Sequence, residues 1–338
     1  MSVRAIVCEA YTGYQDLKLR DIPPPLLRPG CVRIAVKYCC VGFGTSLIVA
    51  GRYQRKPPLP FVPGTEVSGV VTEVAPEVSH LAVGDRVTGI IDWGGYAEEA
   101  IGTADTVWKI PEEVPFDLAC LLPAAYGTPW AALHWRAQLR AGETVLVFGA
   151  AGGVGRCAVE LARLAGAHVI AVARDEARVQ VALEHGAHEG WRSDTPDLGR
   201  MLKERHGGRG INVIFDPVGG QCFEHAMKAV APEGRILVIG FAGGTIPQVP
   251  ANLLLVKNVA VIGVNLGLYT GWTPGDERQT HAPKMRDMID QLSALVAQGQ
   301  LRPAPPTAFT LAQTVAAFDA LVARRHTGRM LIRVSDQP

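Results

Sequence analysis

One stretch of the chain has a spacing with direct chemical meaning: Thr144 to Gly155 reads TVLVFGAAGGVG. An apolar run enters small residues, then a helical pattern carrying Val159, Leu161, Ala162 and Leu164. Within it, Ala150-x-Gly152-x-x-Gly155 is a dinucleotide fingerprint whose first glycine is alanine. Gly152 lets the backbone approach a pyrophosphate, and Gly155 lets helix and strand pack closely. The amides at the helix start, with Gly153 and Val154, face the anion. The bland alternative is a tight strand–helix junction that binds nothing. NAD enzymes place an acid at the end of the second strand to hold the ribose 2′-hydroxyl. Here that strand, His168 to Val172, runs into Ala173 and Arg174, with Arg178 one helical turn on. A small residue followed by guanidinium groups admits and pairs a 2′-phosphate, so NADPH is the expected cofactor. Asp175 and Glu176 keep a second reading open, in which Arg174 and Arg178 are a salt-bridged surface face.

The elements that must position this loop follow from the pattern around it. Residues 1 to about 120 hold short β-type runs between Pro and Gly: Val32 to Val36, Glu66 to Val74, Arg86 to Ile91, Gly95 to Ala100 and Thr106 to Ile110. The amino terminus, Met1 to Ala10, alternates like a first strand and lacks the charge and apolar regions of a signal peptide. From 121 to 264, near-continuous apolar runs alternate with helices, as a parallel sheet covered on both faces requires. The strands are Thr144 to Phe148, His168 to Val172, Val213 to Phe215, Arg235 to Ile239 and Val259 to Val264. The helices are Gly153 to Leu164, Glu176 to His185 and Cys222 to Val230. The predicted fold class is α/β: a β-rich domain over 1–120 completed by 265–338, and a doubly wound domain over 121–264. The last part carries helices near Met285 to Gln298 and Leu311 to Arg324 and a strand at Arg329 to Val334.

Composition narrows the function. With 33 Lys plus Arg against 32 Asp plus Glu, the formal net charge is +1 and there is no long run of like charges, which argues against nucleic acid or an acidic membrane as partner. No apolar stretch approaches the ~20 residues of a membrane helix. Seven cysteines, mostly inside apolar segments, suit reduced core thiols, so a soluble, cytoplasmic protein is expected.

The sequence resembles the zinc-independent, quinone oxidoreductase (zeta-crystallin-like) branch of the medium-chain dehydrogenase/reductase superfamily along essentially its whole length. The segments that carry the likeness include GRYQRKPPLPFVPGTEVSGVV from Gly51, GGYAEEA from Gly94, LPAAYGTPWAAL from Leu122, FDPVGG from Phe215, VIGFAGGTIPQVPANLLLVKN from Val238 and TGRMLI from Thr327. The resemblance implies a GroES-like substrate domain made by both chain ends, an inserted Rossmann domain, a cleft where nicotinamide meets substrate, and a homodimer formed through Val259 to Val264. It implies that Thr128 and the backbone of Gly240 and Phe241 frame the nicotinamide and that Tyr53 and Tyr126 face the substrate. The superfamily's three catalytic zinc-ligand positions fall on Gly42, Thr65 and Ala124, none a normal zinc ligand. The four-cysteine structural-zinc loop is missing, so no metal is expected. Relatives often carry Asn and Asp at Gly42 and Thr45 and a second Tyr at Trp130, so the pocket here is roomier and less polar.

Without a Lewis acid, hydride must go to an acceptor that is already electrophilic, a quinone or an α,β-unsaturated carbonyl. Either tyrosine could hydrogen-bond the acceptor oxygen as charge develops, or be a core residue with a satisfied hydroxyl. Two other functions fit the same residues. An enoyl-thioester reductase would need a basic mouth for phosphates, for which Arg52, Arg55 and Lys56 are candidates. A non-catalytic NADPH-binding protein would keep the same glycine loop. Asp216 reads as a stabiliser of its strand–helix turn, and Tyr269 to Pro283 as a lid or a long surface loop.

Overall fold

The computed structural model describes residues 2–323 and 328–335. Arg324, the end of one expected helix, Thr327 of the TGRMLI segment, and the terminal residues Met1 and Pro338 lie outside the described residues. The chain divides into two compact units, one up to Ala124 together with residues from Gly267, the other Ala125–Leu266.

The first unit is a β-rich, GroES-like domain. Its seven-stranded sheet runs Thr307–Thr310, Met330–Arg333, Cys31–Val41, Glu66–Val74, Arg86–Ile90 and Val107–Lys109, with Glu99–Thr103 also paired to Cys31–Val41. Ile34 sits at the centre, opposite Val71 on one neighbour and Ala100 on the other, and is fully buried. A separate antiparallel pair joins Val3–Val7 to Lys18–Ile22. The strand expected at Gly95 to Ala100 lies at Glu99–Thr103. Gly95 and Tyr96 instead spend their amides on the carbonyls of Gly64 and Pro63.

Two helices close this unit. Thr314–Val322 buries Phe318 against Tyr14 and Tyr96, at ring separations of 5.3 and 6.2 Å. Arg278–Ala297 buries Met285, Met288, Ile289 and Leu292, the i, i+3, i+4, i+7 stripe of an amphipathic helix. It begins seven residues before the expected start. Pro283 lies in its second turn, where the ring removes one helical hydrogen bond that the buried face of the helix must offset. Tyr269 to Pro283 is therefore structured, with Tyr269, Thr270, Trp272 and Arg278 buried.

The second unit is a Rossmann domain. Its six parallel strands lie in the order Glu189–Arg192, His168–Ala173, Thr144–Phe148, Ile211–Asp216, Val230–Val238 and Ala260–Gly263. Numbered from Thr144, that order is 3-2-1-4-5-6, so it reverses beside the first strand. Helices Gly153–Leu164, Glu176–Glu184, Leu198–Arg205, Gln221–Ala229 and Ala251–Lys257 accompany it. Leu146, Phe148, Ile170, Ile214, Phe223 and Ile236 form the core. The last helix is the exception: Ala251–Lys257 contains three leucines and a valine yet buries none of its residues. Among the described residues no helix is long and apolar enough to cross a membrane, and all seven cysteines are free thiols.

Candidate cofactor and substrate site

The glycine turn forms because the first strand ends where only small residues fit. Gly149 has φ 59°, left-handed backbone that favours glycine. A Cβ on Gly155 would stand 2.2 Å from the Gly149 carbonyl oxygen, which excludes any side chain there. Gly152 caps the helix Gly153–Leu164 without a side chain and donates its amide to Gly149 at 2.8 Å. Ala150, at the first fingerprint glycine, is buried and donates its amide to Val172. The turn thus leaves the first helical amides of Gly153, Val154 and Gly155 at the carboxyl edge of the sheet.

The corner expected to face the ribose lies at the end of the second strand. Asp175 caps the helix Glu176–Glu184, accepting from the Arg178 amide at 2.9 Å. The same carboxylate pairs with the Arg178 guanidinium at 2.5 Å and with Arg174 Nε at 3.5 Å. The Arg178 amide, then the guanidinium groups of Arg178 and Arg174, hold the Asp175 carboxyl below the usual range. Both earlier readings therefore meet here: the arginines are at the strand end, and Asp175 is their counter-ion. A third guanidinium went unread in the sequence. Arg192 ends the neighbouring strand in register with Ala173, paired to Asp194. Its signal was weak because its strand, Glu-Gly-Trp-Arg, lacks an apolar run.

The other cofactor candidates lie on or beside this edge. Asp216 ends the fourth strand, and its Oδ1 accepts from the amides of Val218 and Gly219 at 2.8 and 2.9 Å. It stabilises the turn, as its position suggested, and burial pushes its carboxyl pKa up despite those bonds. Ala242 and Gly243 donate to the carbonyls of Pro217 and Val218, lacing that turn to the loop holding Gly240 and Phe241. Phe241 is exposed. Thr128 is half-buried in the short helix Gly127–Trp130, which packs on Gly153–Leu164 and is flanked by π-wound turns.

Tyr126 differs from the expectation that its hydroxyl faces substrate. It is buried and donates to Glu160 Oε2 at 2.5 Å, while Glu160 Oε1 meets His185 Nδ1 at 2.9 Å. Burial first, then the neighbouring Cys157 and Glu160, push its phenol pKa far up. The hydroxyl is thus committed to a carboxylate of the glycine-turn helix, and Tyr126 braces that helix. Glu160 was passed over in the sequence because it sits in an apolar helix pattern. A charge there is itself the signal that a partner must exist.

In the first unit, Tyr53 is half-buried, its ring edge-on to Trp272 at 5.9 Å. Among the described residues its hydroxyl makes no hydrogen bond, and burial raises its pKa. Arg55 pairs with Asp92 at 2.9 Å and lies over the rings of Trp93 and Trp272. Asp92 also holds Arg278 at 2.9 Å. Arg55 is thereby removed from the basic mouth suggested for phosphates. At the superfamily's catalytic zinc position, Gly42 and Ala124 offer no donor side chain and Thr65 offers a hydroxyl. Glu66, beside Gly42, is held by Arg329 at 2.9 Å, so a guanidinium supplies the positive charge that this carboxylate faces.

Comparison with known proteins agrees with this geometry. Residues 28–112 match the alcohol dehydrogenase GroES-like domain, and residues 153–281 match the family described as zinc-binding dehydrogenase. The chain is 38% identical to quinone oxidoreductase-like protein 2 of Rattus norvegicus, over 97% of this chain and 91% of that protein. It is 35% identical to the quinone oxidoreductase of Homo sapiens over 78% of this chain and 80% of that one. Among solved structures, a probable oxidoreductase from Mycobacterium abscessus superposes with a TM-score of 0.86 at 33% identity, covering 99% of both chains. A mycobacterial protein solved in complex with NADPH gives 0.89 at 26% identity, covering 98% of this chain and 100% of that one. Gly42, Thr65 and Ala124 do not make a site for the zinc in the second family's description.

Proposed function

The chain belongs to the medium-chain dehydrogenase/reductase superfamily, in its quinone oxidoreductase branch, and from that premise we propose that it is an NADPH-dependent reductase of quinones or α,β-unsaturated carbonyls that uses no metal in hydride transfer. The observation that carries this reading is the arrangement along one edge of the parallel sheet, where the glycine turn, the arginine corner and the Gly240–Phe241 loop stand together. Bound there, NADPH supplies a hydride, two electrons with a proton, to an electrophilic carbon or quinone oxygen.

The chain's own groups have separate tasks. Gly152, Gly153, Val154 and Gly155 receive the pyrophosphate. Arg174 and Arg178, with Arg192, exchange Asp175 and Asp194 for the 2′-phosphate. Thr128, Gly240 and Phe241 hold the nicotinamide ring. Tyr126 acts through Glu160 by fixing the helix behind the glycine turn. Tyr53 keeps its proton, because burial raises its pKa, and its unengaged hydroxyl donates to the acceptor oxygen as charge develops. The Glu66–Arg329 pair supports hydride transfer without a metal, since a carboxylate already matched by a partly buried guanidinium has little to offer a second cation. Quaternary structure belongs to the same proposal. Ala251–Lys257 exposes Leu255 and Val256, each 79% accessible, beside an edge strand, Ala260–Gly263, that among the described residues lacks a neighbour on one side, and a homodimer through this face covers both.

The test is NADPH oxidation at fixed enzyme against quinones, simple enones and enoyl-coenzyme A esters, with NADH in parallel and before and after chelator treatment. Turnover with quinones or enones, NADPH preferred and chelator without effect, is expected. Turnover confined to enoyl esters moves the assignment to a thioester reductase. Tight NADPH binding with no turnover makes the chain a binding protein.

A further inference from the structure

A second cluster of chemically competent side chains lies at the opposite edge of the same parallel sheet from the glycine turn. His168 opens the second strand, Glu189 opens the short edge strand beside it, and His206 follows the helix Leu198–Arg205. His168 Nε2 is 2.9 Å from Glu189 Oε1, and His206 Nε2 is 3.5 Å from the same oxygen. One donor atom from each of the three lies within 4.8 Å of the other two. His206 Nε2 is a buried atom that makes no hydrogen bond. Its approach to Glu189 is close enough for attraction but misaligned for a proton between them, and a buried nitrogen left so is costly unless something else engages it.

The surroundings hold the donors in place. Arg205 Nε donates to Glu189 Oε2 at 2.9 Å, which turns Oε1 toward the two imidazoles. The His188 ring stacks on His168 at 4.5 Å, and its Nδ1 accepts from the Val169 amide at 2.9 Å. Such outer contacts on a carboxylate and an imidazole orient metal ligands and raise affinity.

We propose that His168, Glu189 and His206 form a binding site for one divalent transition-metal ion, with zinc the best match. Two imidazoles and a carboxylate exclude the all-oxygen preference of calcium and magnesium. Ligands on tetrahedral zinc at ~2.0–2.1 Å stand about 3.3 Å apart, and the two measured separations fall on either side of that value. A fourth position is open to water on the side of His168, whose side chain is 39% exposed. The ion joins three elements: the second strand, the four-residue edge strand paired with it and the helix that follows. Its role is therefore to brace this end of the Rossmann sheet. A five-residue strand, about 15 Å, separates it from the glycine turn, so it takes no part in hydride transfer.

The experiment uses the full-length protein stripped by chelator and titrated with zinc, or with cobalt as a spectroscopic probe, alongside His168→Gln and His206→Gln. The wild type is expected to take up one ion per chain, to show the visible absorption of tetrahedral cobalt, and to gain about 5 °C in Tm at hundredfold excess of free zinc over Kd. Either substitution should weaken binding about a hundredfold and abolish the Tm gain. NADPH affinity, measured by fluorescence, should not change. If His206→Gln fails to fold, His168→Gln at its half-exposed position carries the same test. Absence of zinc uptake by the stripped wild type, or unchanged uptake in the variants, overturns the site. This outcome is independent of the reductase assay, because the stripped protein is expected to turn over normally.

Discussion

Replacing Arg174 with alanine separates the two readings of the arginine corner. Its Nε lies 3.5 Å from Asp175, and its side chain is 46% exposed, so the pair itself contributes little to stability. A 2′-phosphate brings nearly two negative charges and three acceptor oxygens to the same guanidinium. A hydrogen bond to a charged partner contributes ~1.5–3 kcal/mol, and a fully exposed pair ~0–1 kcal/mol. At half exposure the loss should fall near 1.4 kcal/mol, about tenfold in kcat/KM for NADPH. NADH has no phosphate for Arg174 to meet, so its kcat/KM should change by less than about twofold. Arg178 is assigned to the same group, so the double variant should lose less than the product of the two single losses. Asp175→Asn keeps a cap acceptor while removing the competing charge, so it should raise the NADPH/NADH ratio. Steady-state rates at 340 nm with one fixed quinone, or cofactor Kd by fluorescence quenching, measure all four variants. Equal losses with both cofactors in Arg174→Ala would refute the 2′-phosphate assignment and leave the salt-bridged surface face as the correct reading.

Gly155→Ala places a Cβ against the Gly149 carbonyl and should destabilise the second unit by at least about 3 kcal/mol while abolishing cofactor binding, as read by denaturant titration with and without NADPH. Tyr53→Phe should lower kcat at least about tenfold with unchanged NADPH affinity. Tyr126→Phe should lower Tm and leave kcat nearly intact, since it leaves Glu160 Oε2 unpaired instead of removing a substrate contact. Asp216→Asn keeps a side-chain oxygen for the Val218 and Gly219 amides and removes a charge that burial disfavours. Because the folded pKa of Asp216 is raised, its contribution to stability is complete below the unfolded value near 3.8 and is lost as pH rises through the folded value. The variant should therefore gain stability over wild type at pH 7 and lose that gain toward pH 3.5, measured by urea melts at both. Leu255→Asp with Val256→Asp should yield a monomer in sedimentation velocity; an unchanged mass would refute the dimer face.

Legibility in the sequence followed apolar continuity. Thr144–Phe148 and Gly153–Leu164 were readable to the residue, because a strand buried on both faces and a helix packed on it leave little choice of composition. Glu189–Arg192 and Leu198–Arg205 were missed for the converse reason: an edge strand of Glu, Gly, Trp and Arg and a highly charged helix carry no such run. Those two elements supply Arg192 at the cofactor corner and Glu189 and His206 at the proposed metal site. Both consequences were hidden together. The role of Tyr126 could not be read either, since the tyrosine and its partner Glu160 stand 34 positions apart and only the fold brings them together. Arg55 shows the same limit, its charge being taken up by Asp92 and two tryptophan rings.

The pairing of Glu66 with Arg329 also constrains how such a chain can change over evolutionary time. A descendant gaining a cysteine at Gly42 or a histidine at Thr65 would bring a ligand toward a position still neutralised by a guanidinium, and would gain no metal for it. Losing Arg329 first would strand a half-buried carboxylate with no counter-charge. Each single step is neutral or harmful, and only several together restore a working ion. Under the proposed chemistry the salt bridge therefore acts as a ratchet, holding the lineage to acceptors reactive enough to take hydride unaided.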